Sequence, residues 1–245
     1  MTERREPLLL SAWGAALHPL LSLLYPPRCA VCRMLGGVSS LCATCAGAIT
    51  PVTEPICACC GHSLNAGEHC LNCRQRPPAF DCARALGAYD GVLREAIHRF
   101  KYHDRPALAE PLGALLSAQA RRQASALHDL RFDAVLPVPM HHVRRRRRGY
   151  NQSERLARVL AQELGLPLDT KTLVRPRATR PQVGLEAKAR RVNLAGAFAV
   201  RASVKGKDLL LVDDVMTTGS SLHECAAALK IAGAGRVDAL TLAVG

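Results

Sequence analysis

The sequence predicts an α/β domain built on a mainly parallel sheet flanked by helices, preceded by a small cysteine-rich domain. Three observations carry this expectation. From residue 81 to residue 245, aliphatic runs alternate with amphipathic stretches of helical period, the pattern of parallel strands joined by crossover helices. Of the 11 cysteines, eight form four Cys-x2-Cys pairs between Cys29 and Cys73. The 245-residue chain is 49% hydrophobic and 22% charged, a composition that excludes disordered, collagen-like and fibrous classes. Aromatic residues make up only 4%, so the core must rest on Leu, Val and Ala.

Residues 1–28 read as an N-terminal apolar helical segment. Glu3 and Glu6 offset Arg4 and Arg5, His18-Pro19 interrupts the apolar run, and no small-residue cleavage site follows, which argues against a signal peptide. A spanning helix needs roughly 20 uninterrupted apolar residues, which this run lacks. A short helix packed on the rest of the protein is expected, with surface contact through Trp13 as the lesser alternative.

Residues 29–76 carry the cysteine pairs Cys29/Cys32, Cys42/Cys45, Cys57/Cys60 and Cys70/Cys73. The last two pairs repeat the first two at an offset of 28 residues, an internal duplication of a C-x2-C-x9-C-x2-C unit. A tight turn presents two thiolates to one Zn²⁺, and a second turn completes an all-sulfur tetrahedral site, so each unit can form a ribbon in which metal replaces a core. With no secretory signal read, a cytoplasmic location is expected, and with it reduced thiols rather than a disulfide framework. Sequential pairing follows the duplication, although crossed pairing satisfies the spacing too, and Cys59, His62 or His69 could substitute as ligands. Filling both sites with Zn²⁺ on eight thiolates lowers the formal charge from +13 to +9. Cys82 and Cys225 read as buried hydrophobes. The stretch RQRPPAF, stiffened by Pro77-Pro78, reads as a linker separating the modules.

Within residues 81–245, strands are expected at ARALGAY, DAVLPVP, TLVR, GAFAV, KDLLLVDDV and VDALTLAVG. Helices are expected at VLREAIHRFKY, ALAEPLGALLSAQARRQ, SERLARVLAQELG and SSLHECAAALKIAG. Ligands of such sheets bind beyond the carboxyl ends of strands. There the sequence reads LLLVDDVMTTGSS over residues 209–221, with two adjacent carboxylates followed by hydroxyls and a glycine opening a helix. Hydroxyls and backbone N–H groups at a helix N-terminus hold an anion, and Gly219 lets the backbone approach a phosphate. Asp213 and Asp214 can accept hydrogen bonds from vicinal hydroxyls while a Mg²⁺ offsets charge elsewhere in the ligand. A phosphate cradle beside a diol-binding acidic pair describes a ribose 5-phosphate.

This element resembles the phosphoribosyl pyrophosphate (PRPP) loop of type I phosphoribosyltransferases. The segment LPVPMHHVRRRRRGYNQSERLA, the cysteine pairs after a Leu-rich start ending in Tyr-Pro-Pro, the stretch Tyr89 to Tyr102, and Thr179, Gln182, Leu185, Arg190 and Asn193 resemble the ComF/GntX-like family of late-competence proteins. The resemblance implies a type I phosphoribosyltransferase-like sheet behind a double zinc ribbon, with a hood over the sheet. It implies that Val215, Met216, Thr217, Thr218, Gly219, Ser220 and Ser221 bind PRPP, with catalytic Asp213 and Asp214 on the diol and Mg²⁺ between ribose oxygens and pyrophosphate. The loop after Pro139, with Arg147 and Arg148, would receive pyrophosphate, and Lys101 and Arg191 would add anion contacts. No residue stands out as a base for an acceptor.

A second functional class remains open. Of 33 basic residues, 14 fall within residues 141–191 against four acidic ones. Zinc ribbons and this basic segment could hold single-stranded DNA, with Tyr150 available for stacking, and the family resemblance points to DNA-uptake machinery as a partner. The lesser alternative for the run Arg144 to Arg148 is a solvated basic turn between strand and helix. Membrane contact is not expected.

Overall fold

The computed structural model describes residues 28–35, 40–102, 105–177 and 194–245. The expected N-terminal helix, Arg191 and the segment from Thr179 to Asn193 lie outside the described residues. In chain order the elements are α1 (Ala43–Gly47), α2 (Leu71–Gln75), β1 (Cys82–Ala88), α3 (Gly91–Tyr102), α4 (Ala109–Arg122), β2 (Ala134–Pro137) and α5 (His142–Arg148). There follow α6 (Gln152–Leu164), β3 (Leu173–Val174), β4 (Ala199–Val200), β5 (Leu209–Met216), α7 (Ser220–Ile231) and β6 (Val237–Val244).

The sheet has the order β1-β6-β5-β2, every pair parallel, and β3 and β4 form a separate antiparallel pair. The two central strands are buried on both faces, which is why β6 has no exposed position and β5 opens with four buried aliphatic residues. One face packs on α3, α4 and α6 through Leu93, Phe100, Leu112, Leu116 and Leu160; the other packs on α7 through Leu222, Cys225 and Leu229.

The cysteine-rich region sits on β1, the sheet edge. Ala83 N–H donates to the Cys59 carbonyl at 2.7 Å, Ala88 N–H donates to the Thr50 carbonyl at 3.0 Å, and the Arg84 guanidinium donates to the Ala58 carbonyl at 3.0 Å. These bonds occupy groups that an edge strand would otherwise expose. Cys29, Ala30, Leu41 and Cys45 join the core on one face of the sheet, and Cys57, Cys60 and Cys73 join the core on the other. The expected linker is docked as well: Ala79 N–H donates to His223 Nδ1 at 3.0 Å, and Phe80 is buried. Backbone pairing and apolar contact, absent from a reading of local composition, therefore join the parts that Pro77-Pro78 was expected to hold apart.

Candidate functional site

The duplication fixes the cysteine grouping. Cys29, Cys32, Cys42 and Cys45 form one cluster and Cys57, Cys60, Cys70 and Cys73 the other, with the sulfur atoms of each within 4.8 Å of one another. Pairing is sequential. Tetrahedral Zn–S bonds of about 2.3 Å place sulfur atoms about 3.8 Å apart, and Cys32 Sγ lies 3.7 Å from Cys42 Sγ, as Cys60 Sγ does from Cys70 Sγ. Backbone N–H groups point at the sulfurs: Cys42 N donates to Cys29 Sγ at 3.5 Å and Cys70 N to Cys57 Sγ at 3.4 Å. Burial opposes ionisation of Cys29 and Cys57, yet these backbone donors bring both down to about 6. Burial and neighbouring sulfurs push Cys45 and Cys60 up to about 12. Four thiolates this close need a cation, and the donor set fits structural Zn²⁺ at both positions. Cys59, His62 and His69 belong to neither cluster.

The second centre lies at the carboxyl end of β5. Asp213 Oδ1 accepts from Ser153 Oγ at 2.8 Å and from Asp214 N–H at 2.9 Å. Burial, and then the charge of Asp214, raise Asp213 to about 7. Asp214 Oδ1 instead meets Lys101 Nζ at 2.8 Å, with both side chains largely buried. Burial alone would lower the Lys101 ammonium, but Asp214 outweighs it and holds the lysine charged. The adjacent carboxylates thus differ: Asp214 is neutralised by a cation, and Asp213 by its own tendency to hold a proton. Lys101, expected as an anion contact, is the partner of Asp214.

After Met216 the chain leaves the sheet through Thr217, which is exposed, and Thr218, whose Oγ1 lies 2.8 Å from Ser220 Oγ. Gly219, in the left-handed region at φ 69°, caps α7 without any side-chain cap bond. The first N–H groups of α7, at Ser220, Ser221 and Leu222, therefore face the loop as a helix N-terminus does. Val215 is partly buried and Met216 buried, so their side chains support the strand end.

The run Arg144–Arg148 is helical, within α5, and closes on Gly149 at φ 82°. Asn151 explains part of the Gly-Tyr-Asn-Gln motif: its amide donates to the Val138 carbonyl at 3.1 Å beside Pro139, and its Oδ1 caps α6 by accepting from Ser153 N–H at 3.2 Å. That cap presents Ser153 to Asp213. Arg148 reaches Gln152 Oε1 at 2.9 Å and lies over the Tyr102 ring at 5.1 Å, whereas Arg147 is exposed. Tyr150 is not available for stacking: it is buried, with its hydroxyl donating to the Phe100 carbonyl. Tyr102, 55% exposed, is the aromatic ring presented beside the arginines.

Ser153 and Arg175 escaped the sequence reading. Arg175 is buried over the Phe198 ring at 5.2 Å, and burial and then Arg144 lower its hold on its proton, while Asp213 favours its charge. Its position directly after β3 was the available signal.

Residues 20–74 match the double zinc ribbon domain family, and residues 134–244 match the phosphoribosyl transferase domain family. The fold and the two matches define the class: a phosphoribosyl transferase domain carrying a double zinc ribbon. Competence protein F of Haemophilus influenzae is 35% identical over 223 residues, 88% of this chain and 96% of that protein. DNA utilization protein YhgH of Salmonella typhi is 35% identical over 224 residues, again 88% and 96%. Competence protein ComFC of Bacillus subtilis is 26% identical over 243 residues, 94% and 97%. The chain belongs to the competence protein F family. Among the described residues, no helix is long and apolar enough to cross a membrane.

Proposed function

We propose that the chain binds PRPP, or a related phosphoribosyl ligand, beyond the carboxyl end of β5 and acts in the handling of incoming DNA in the cytoplasm. The observation that carries the binding proposal is the convergence of Asp213, Asp214 and the α7 N-terminus on one strand end. The 5-phosphate would lie on Thr217, Thr218, Gly219, Ser220 and Ser221, and the ribose diol on Asp213 and Asp214. Pro139, Arg148 and Arg147 would flank the pyrophosphate, with Lys101 holding Asp214 in place. Lys101 already neutralises Asp214, and Asp213 is readily protonated near pH 7, so the protein offers little spare negative charge for a free cation. Mg²⁺ would accordingly arrive on the ligand's phosphates, where it offsets the charge of the leaving pyrophosphate. Transfer of the phosphoribosyl group to an acceptor is the reaction this arrangement suits. The DNA role is supported by what the relatives are named for.

One observation favours a second reading, a single-stranded-DNA-binding adaptor without turnover: α5 presents Arg145, Arg146 and Arg147 to solvent beside exposed Tyr102. Calorimetric titration separates the two. At pH 8, where Asp213 is ionised, PRPP with Mg²⁺ should bind wild type, and Asp213→Asn with Asp214→Asn should weaken it by roughly tenfold to a hundredfold, since charge-assisted hydrogen bonds are worth about 1.5–3 kcal/mol. Absence of PRPP binding at millimolar ligand, together with salt-dependent binding of single-stranded DNA, would replace the first reading with the second.

The single variants also test the asymmetry of the pair. Asp213 holds its proton more tightly folded than unfolded, so its ionisation costs stability. That cost is absent well below 3.8, grows between 3.8 and about 7, and is complete above. Asp213→Asn should raise Tm more at pH 8 than at pH 5, whereas Asp214→Asn should lower it by stranding the Lys101 charge.

A further inference from the structure

We infer that Ser153 is a positioning residue for Asp213: its hydroxyl ties down one carboxylate oxygen, Oδ1, and leaves the other, Oδ2, to accept a ribose hydroxyl. The ligand in this statement rests on the phosphoribosyl reading of the strand end, whereas the contacts that hold the carboxylate stand without it.

Those contacts close into a ring. Val138 N–H donates to the Val212 carbonyl at 2.9 Å, which extends the β2–β5 pairing one residue past β2 and sets Val138 beside the residue that precedes Asp213. The Val138 carbonyl accepts from the Asn151 amide at 3.1 Å, and Asn151 Oδ1 accepts from Ser153 N–H at 3.2 Å. Ser153 Oγ then donates to Asp213 Oδ1 at 2.8 Å. Asn151 is 6% exposed and Ser153 4%, so solvent does not compete for the bonds inside the ring. The same stretch reaches the neighbouring carboxylate by another route. The Tyr150 hydroxyl donates to the Phe100 carbonyl, and the next residue, Lys101, meets Asp214 at 2.8 Å.

Two donors share Asp213 Oδ1, the Ser153 hydroxyl at 2.8 Å and the Asp214 backbone N–H at 2.9 Å. A carboxylate oxygen has two lone-pair sites, so a proton taken up by Asp213 goes to Oδ2. That is the oxygen a ribose hydroxyl needs as its acceptor, and proton and ligand therefore compete for one atom. Ser153 acts on the competition in two ways. Its hydrogen bond favours the ionised carboxylate, against the burial and the Asp214 charge that raise Asp213 to about 7. It also fixes which oxygen is left for the ligand, so the side chain has no rotation to lose on binding. Of the other groups that face Asp213, Lys101 from α3 is committed to Asp214, and Arg175 beyond β3 adds an attractive charge. The Cys225 thiol of α7 is held neutral by its burial.

Ser153→Ala removes the hydroxyl and keeps the backbone N–H that Asn151 caps, so α6 and the Val138 bond survive; Ser153→Thr keeps both groups. In the full zinc-loaded chain, the titration midpoint of Asp213 is followed by carboxyl carbon NMR and ribose 5-phosphate affinity by calorimetry, from about pH 6 to about pH 9. Each variant is compared with wild type at the same pH, which cancels the ligand's own ionisation. Ser153→Ala should raise the midpoint by about one pH unit, the effect of one lost charge-assisted hydrogen bond, and weaken ribose 5-phosphate about tenfold at pH 7. The loss should shrink toward about pH 9, where Asp213 is ionised in both proteins, and Ser153→Thr should recover both effects. In an Asp213→Asn background, Ser153→Ala should weaken binding no further, because the residue it acts through is already changed. An unchanged midpoint, an unchanged affinity at pH 7, or an equal loss in the Asp213→Asn background would overturn the inference. If wild type binds no ribose 5-phosphate at millimolar ligand, the phosphoribosyl reading fails separately. The midpoint then decides alone: a rise in Ser153→Ala that Ser153→Thr reverses upholds the positioning of Asp213, and no rise overturns it.

Discussion

The two four-cysteine units are the same local structure in two different settings. In each, the first cysteine's N–H bonds five residues ahead, Cys29 to Met34 at 3.0 Å and Cys57 to His62 at 2.8 Å. In each, the residue after it bonds across the unit, Ala30 to Ser40 and Ala58 to Glu68, both at 2.8 Å. Their surroundings diverge. In the first unit Cys32 is exposed, and Met34 and Leu35 face solvent; in the second Cys60 is buried, and Gly61 meets the sheet at the Ala83 carbonyl. The sulfur ligands and their backbone donors therefore set the local fold, and the residues between the ligands set what each copy docks against.

The largest effect expected from this contrast is on metal loss. Cys57→Ser with Cys60→Ser, and separately Cys29→Ser with Cys32→Ser, should each reduce zinc from two ions to one per chain by elemental analysis. The second-site pair should cost more stability, because the bonds from Ala83 and Arg84 to the second unit go with it. At about 1 kcal/mol each, two hydrogen bonds amount to about 2 kcal/mol, or roughly 4–8 °C in Tm for a chain of this size. Equal losses in the two variants would mean that the β1 docking contributes nothing measurable.

That expectation differs from what local sequence suggests, and the reason is physical. The cysteine spacing, the aliphatic run before Asp213 and the hydroxyl-rich helix start all lie within short windows, where periodicity and ligand chemistry speak directly. For that reason the sheet, both four-sulfur groups and the acidic strand end were legible. The pairings Lys101 with Asp214 and Ser153 with Asp213 join residues from separate elements, and no window contains both partners. Tyr150 was misread because an aromatic ring in a basic segment has no local mark of burial, and it packs 5.8 Å from Phe100. One signal was available. The offset of 28 aligns Arg33 with Gly61, and a glycine at the same turn in only one copy marks a close backbone approach there.

That position supplies the next test. Gly61 has φ 68° and no room for a side chain toward the Ala83 carbonyl, so Gly61→Ala imposes both a left-handed alanine and a backbone clash. The first costs about 1–2 kcal/mol and the second a comparable amount, so a loss of about 2–4 kcal/mol in chemical denaturation is expected. A loss below 1 kcal/mol would show that the second ribbon can lift from β1 without consequence.

The smallest effect is the mirror experiment at Arg33, which has φ 62° in the exposed corner of the first ribbon. A non-glycine residue there pays the left-handed cost of about 1–2 kcal/mol, and glycine avoids it while losing about 0.5–1 kcal/mol more chain entropy on folding. Arg33→Gly should therefore stabilise the protein by about 0.5–1 kcal/mol, a rise of roughly 1–4 °C in Tm. The same residue type at equivalent corners would then have opposite consequences for the same change of backbone cost: glycine is demanded by contact in the second ribbon and is merely favourable in the first. A decrease in Tm instead would mean that the Arg33 side chain contributes more than its backbone strain costs, and that the first corner is not the free surface its exposure suggests.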